Sequence, residues 1–181
     1  MQKINTQQSG YSLIEIIIGI VVALTVVMLA TVAYQSHKKK TELGQISEGV
    51  VQVKTAVTTL HNTGTSYNNG SINPETLEAA GLTPQEWTVT GSGVGSKWNA
   101  PLGGTTVSMS LNPVLLGQIE LTIDTTLDYC ANIATQTINF VFNMEVNGTN
   151  VKGGGPLPTV KAIMLACEQT DPPNIKLNII R

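Results

Sequence analysis

The sequence predicts an α+β fold, a roll in which one long N-terminal α-helix packs on an antiparallel β-sheet. Two patterns carry this. No proline occurs between Leu13 and His61, a stretch that is uniformly apolar at first and then apolar only along one helical stripe. From residue 86 onward, short segments alternate apolar and polar residues between glycine-rich turns, as strands with one buried face do. Composition agrees: aromatic residues are 4% and charged residues 12% of the chain. The part beyond the apolar run is rich in Thr, Asn, Gly, Ile and Val, a balance that favours β-structure with polar turns over a helical bundle.

The apolar run from Leu13 to Tyr34 is 22 residues. At 1.5 Å per residue it spans about 33 Å, enough to cross a hydrocarbon layer of roughly 30 Å. Glu15 lies inside it, and an ionised acid in hydrocarbon costs roughly 2.5–3.5 kcal/mol on insertion scales, so it needs a partner or a purpose. A secretory signal, with Lys3 as its charged end and cleavage after Ala33, is the competing reading, and a plain membrane anchor is another. Against the signal, the run exceeds the usual apolar length of about 7–15 residues, and an acid within it would weaken export. The basic cluster His37–Lys40 follows directly, and the positive-inside tendency taken alone would keep that end in the cytoplasm.

The cysteines point the other way. Cys130 and Cys167 are the only two, and in a chain with an export-like start they read as a disulfide formed in an oxidising compartment. Two unrelated buried thiols are the alternative. Closing a loop of that length is worth about 3.8 kcal/mol by chain entropy.

From Thr41 to Asn62 the residues Leu43, Ile46, Val50, Val53, Val57 and Leu60 recur at spacings of three and four. They form one apolar stripe on a helix, with Glu42, Gln45, Glu48, Gln52 and Lys54 assigned to its other faces and weak points expected at Gly44 and Gly49. The stripe reads as the face on which a sheet packs, with a coiled coil against a partner helix as the alternative. Asn62 to Asn73 is a turn-rich loop. Asn73 and Pro74 then open a short helix that stops at Gly81. EWTVTG, TTVSMSL and QIELTI read as strands, with turns at Gly91–Gly95 and Gly103–Gly104. The segment from Cys130 to about Val146 reads as a helix running into a strand, Asn147–Asn150 as a turn, GGGPLP as a loop and NIKLNII as a final strand.

Catalytic patterns are weak. His37 and His61 are the only histidines, one beside the lysines and one at a helix end, so neither a metal site nor a Ser-His-Asp constellation assembles. GSGVGS, residues 91–96, lacks the strand-to-helix context and the Lys-Ser/Thr ending of a phosphate loop. The expectation is a protein that is not an enzyme and takes no metal or other cofactor. A net charge of −2 gives no electrostatic case for nucleic acid. Asn69-Gly70-Ser71 and Asn147-Gly148-Thr149 match a glycosylation acceptor tripeptide, a frequent coincidence in a chain rich in Asn and Thr.

SGYSLIEI, in which Gly10 precedes Tyr11, the aliphatic pair Leu13-Ile14 and Glu15, resembles the start of a type IV prepilin. The resemblance implies cleavage between Gly10 and Tyr11 by a prepilin peptidase, and methylation of the new amine on Tyr11. Glu15 becomes the fifth residue of the mature chain, where the family has its assembly glutamate. The family's long helix on an antiparallel sheet, and its C-terminal disulfide, match the segments above and Cys130 with Cys167. WNAPLGGTTVSM, residues 98–109, is similar to the Asn-Pro-Phe-Gly-Gly turn-plus-strand of several such pilins, with Ala100 inserted and Leu102 in place of the aromatic. Tyr11, Val32 at the place of a helix-kinking proline, and the wide cysteine loop lean toward the type IVb branch, for which a ten-residue leader is short.

The division this implies is a leader over 1–10, a transmembrane and filament-core helix over 11–36, the amphipathic half of the helix over 37–62 and a globular β-sheet domain over 63–181. The implied role is a pilus subunit, held in the bacterial inner membrane with a cytoplasmic N-terminus and a periplasmic globular domain, then drawn into an extracellular filament. Its implied partners are other copies of itself in a helical homopolymer, the prepilin peptidase, the inner-membrane assembly machinery and, before assembly, membrane lipid. Alternatives are a minor pilin or secretion pseudopilin, and a membrane-anchored periplasmic binding domain that does not polymerise. The prediction concerns processing. Mass analysis of the mature N-terminal peptide should find Tyr11 with a methylated amine, and Gly10→Val should leave a longer precursor in the membrane. A mature chain starting at Tyr34 would establish the secretory-signal reading instead.

Overall fold

The computed structural model describes residues 13–62, 71–114, 118–153 and 157–180. The leader and the Gly10–Tyr11 junction lie outside the described residues, as do most of the loop after Asn62 and part of GGGPLP. The chain forms two compact units, residues 1–38 and 39–181.

In the first unit, helix α1 (Leu13–Asn62) carries the apolar run without interruption, and every described residue of it is exposed. Thr25, Thr31 and Ser36 turn their hydroxyls back onto the carbonyls of Val22, Met28 and Ala33 at 2.8–2.9 Å, so none of these hydroxyls asks for water.

The second unit holds the rest of α1 and the α+β core. Its elements are α2 (Pro74–Ala79), β1 (Thr88–Thr90), β2 (Lys97–Leu102), β3 (Thr105–Val114), β4 (Gln118–Asp124), α3 (Leu127–Thr137), β5 (Asn143–Val146), β6 (Thr149–Lys152), α4 (Val160–Cys167) and β7 (Asn174–Ile180). The sheet is antiparallel with strand order β1-β2-β3-β4-β7-β5-β6, so β7 lies between two blocks of strands. Register aligns the apolar positions into rows. Trp98, Met109, Ile123, Ile175 and Val146 stand opposite one another across five strands, and Leu111, Leu121, Leu177 and Met144 across four, all fully or almost fully buried. The expected helical stripe meets this core. Leu43, Ile46, Val50, Val53 and Val57 are buried and Leu60 partly so.

Two hairpins owe their tightness to backbone that few residues tolerate. Gly103 and Gly104 between β2 and β3, and Asn147 and Gly148 between β5 and β6, all have positive φ, the geometry of two-residue turns that match strand twist. Asn73 and Pro74 start α2 as the sequence predicts. The Asn73 side chain accepts from the Thr76 amide while Thr76 Oγ1 accepts from the Asn73 amide, a reciprocal cap.

Several expectations are corrected. Glu42 does not belong to the solvent faces of α1: it is 8% exposed and accepts the backbone N–H of Gly103. Its place four residues before Ile46 puts it on the edge of the buried stripe, where the turn amide supplies what water would have given. Gly49 is a contact rather than a weak point, because a Cβ there would overlap the Trp87 ring, which in turn packs 5.7 Å from Trp98. Asn99, Ala100 and Pro101 belong to strand β2 and not to the turn, which is Gly103-Gly104 alone. Helix α3 starts at Leu127, three residues before Cys130, and the sequence reading had no counterpart for α4.

Two substitutions test this packing. Val53→Asp would bury a carboxylate with no partner, and it should cost about 3 kcal/mol or more in denaturant unfolding of a fragment starting at Thr41. Gly49→Ala should also destabilise, through displacement of Trp87, and the loss should show in the indole fluorescence.

Candidate functional site

Two features stand out as candidates, and each belongs to one unit. The first is the apolar segment of α1. It is apolar around its whole circumference, long and apolar enough to cross a membrane, and unburied by the rest of the chain. Glu15 sits in its first turn, exposed among Leu13, Ile14, Ile16 and Ile17. A surface of this kind is unstable in water and satisfied by lipid or by other apolar helices. Such a surface is compatible with membrane anchoring. Gly10 and Tyr11, the cleavage and methylation positions, lie outside the described residues, so the structure locates only Glu15 of that group.

The second feature is the region joined by Cys130 and Cys167, which form a disulfide with Cα atoms 5.9 Å apart. It links the first turn of α3 to the last residue of α4, and both cysteines are buried. Asn147 supports the same region from the β5–β6 turn. Its Nδ2 donates to the carbonyls of Ala166 (2.8 Å) and Cys167 (3.2 Å), closing the C-terminal end of α4, while its Oδ1 accepts the amide of Asn174 at 2.8 Å. That engagement bears on the acceptor tripeptide at Asn147: a glycan on Nδ2 would take one of its two hydrogens and so at least one of these bonds. The amide belongs to the fold. Of the other match, Asn69 and Gly70 lie outside the described residues.

Lysines hold the neighbouring segment. Lys54 from α1 donates to the Phe140 carbonyl at 2.9 Å, and Lys152 from β6 donates to the carbonyls of Ile138 (2.5 Å) and Val141 (2.7 Å). These contacts terminate the α3 region and aim the chain into β5. A clasp made by Glu42, Gly103, Tyr129 and Lys39 joins α1, the β2–β3 turn and α3. Any side chain on Gly103 would overlap the Tyr129 hydroxyl, and Lys39 Nζ lies 5.6 Å from the Tyr129 ring centroid. Sequence reading missed Glu42 and Tyr129 because their partners are distant in the chain. The one local signal was that Glu42 shares a helical face with Ile46.

Among the described residues no group of three or more His, Cys, Asp or Glu side chains is placed to hold a metal ion. The clefts beside α1 are shallow. One of about 180 Å³ is lined by Gln45, Glu48, Gln52, Glu86 and Trp87, and one of about 350 Å³ by Val51, Thr55, Thr59 and Leu82.

Replacing Asn147 tests the second feature. Asn147→Gly keeps the positive φ but loses three hydrogen bonds, and should destabilise the second unit by about 1–3 kcal/mol. Asn147→Ala should cost more, since it adds backbone strain. Thiol labelling of the native protein should find neither Cys130 nor Cys167 until reductant is added. No protein-family model matches this chain, and no curated protein matches its sequence.

Proposed function

We propose that this chain is a structural subunit of a type IV pilus, anchored in the inner membrane before it joins an extracellular filament. One observation supports this above the others. A single helix, α1, is apolar on all sides from Leu13 to Tyr34 and apolar along one buried stripe from Leu43 to Val57. The first part needs an apolar surround outside its own chain, and the second part belongs to a folded unit. Such a helix suits a subunit that exchanges lipid for neighbouring helices. The prepilin-like residues Gly10, Tyr11 and Glu15 add to the reading, as does the disulfide between Cys130 and Cys167.

In this function Glu15 serves assembly. Cleavage after Gly10 leaves a cationic amine on Tyr11, and a filament core made of packed apolar helices excludes water from both charges. Pairing the amine of one copy with Glu15 of the next relieves both, and it sets the axial register more than it adds net stability.

Glu15→Val should leave membrane insertion, leader removal and the folded unit unchanged, because an apolar side chain suits a bilayer at least as well. Filaments seen by electron microscopy of sheared surface material should be lost or greatly reduced, since breaking a buried pair costs about 3–5 kcal/mol. Normal filament number and length from the variant would sink the pairing mechanism. An absence of filaments from the unaltered chain in its native host would favour the anchored, non-polymerising domain.

A further inference from the structure

We propose that the basic run His37–Lys40 docks on the anionic phosphate headgroups of the lipid leaflet in which the apolar segment ends. The inference rests on membrane insertion of Leu13–Tyr34 and not on filament assembly.

Position comes first. The four residues are consecutive on α1, all exposed, and begin three residues after Tyr34, itself exposed and of the type that anchors at a membrane boundary. At 1.5 Å per residue, the run lies about 4–9 Å beyond Tyr34 along the helix. The polar headgroup layer is roughly 5–8 Å deep on each side, so these side chains emerge at the depth of the phosphates and within a Debye length of them. Lysine stems are long enough to reach back along the helix where the backbone has left that layer.

Charge complementarity comes second. Residues 41–181 carry eleven acidic and six basic side chains, so the folded unit as a whole is repelled by an anionic bilayer. Residues 37–40 hold three lysines and a histidine with no acid among them, the only such concentration in the chain. Headgroup phosphates at the boundary where the apolar segment ends carry the charge opposite to this run. Lys39 lies over the Tyr129 ring, so substitutions at Lys38 and Lys40 remove charge from the run and keep that contact in place.

The test uses the full chain in nanodiscs containing equal amounts of phosphatidylglycerol and phosphatidylcholine, with native mass spectrometry of the lipids that stay bound on release. The unaltered chain should retain phosphatidylglycerol in excess. Lys38→Gln with Lys40→Gln should reduce that excess by about fivefold for each lysine, and added salt should reduce it too. Lys38→Arg with Lys40→Arg should restore it, which separates charge from any effect on folding. Lys97→Gln with Lys161→Gln should leave it unchanged. Equal retention of the two lipids by the unaltered chain, or no difference between it and the glutamine variant, overturns the proposal. So does loss of the excess on adding inorganic phosphate at unchanged ionic strength, which would mark a site for the free ion. Preferential capture of a double-stranded oligonucleotide through Lys38 and Lys40, in discs of phosphatidylcholine alone, would reassign the run to nucleic acid.

Discussion

Burial of the stripe Leu43–Val57 is the interaction on which the folded unit depends. Among the described residues no other helix of comparable length covers the rows of side chains on the inner face of the sheet, and the stripe is buried against them. Two contacts fix how far the helix sits along and above the sheet. Gly49 admits the Trp87 ring, and Glu42 takes the amide of the β2–β3 turn. One is a steric allowance and the other a polar requirement, so a shift of the helix in either direction loses at least one of them.

Much of this was legible in the sequence, because period is a local property. The spacing of Leu43, Ile46, Val50, Val53 and Val57 and the alternation within TTVSMSL and QIELTI needed no knowledge of partners. What escaped depended on distant residues or on a mixed pattern. Glu42 meets Gly103 from 61 positions away, and a carboxylate read in isolation belongs in water. Helix α4 buries Ile163, Ala166 and Cys167 but leaves Val160, Met164 and Leu165 exposed, so its apolar residues mark no single face and give no clean amphipathic signal. The central position of β7 was equally hidden, since alternation identifies a strand but not its neighbours.

At the candidate site the same division holds. Glu15 drew notice because a carboxylate in an apolar run violates a local rule, and the cysteines because two are easily paired. Asn147 drew notice for another reason, as part of an acceptor tripeptide, and only the fold shows that its amide closes α4 and holds the start of β7. An Asn-Gly pair predicts a turn; it does not predict that the turn's side chain will organise two other elements.

The place of β7 carries a consequence for the order in which the unit can form. Strands β1 to β4 and the hairpin of β5 and β6 do not pair with each other, and only β7, later in sequence than either, bridges them. Until residues 174–180 are available, each block has an open edge and half an interior, whereas both cysteines are already present. Oxidation can therefore precede closure, and the looped segment can wait, tethered, for the strand that completes it. A chain that crosses a membrane progressively, N-terminal part first, would thus keep its sheet unfinished until nearly all of it had emerged. The architecture defers completion of the sheet to its last strand.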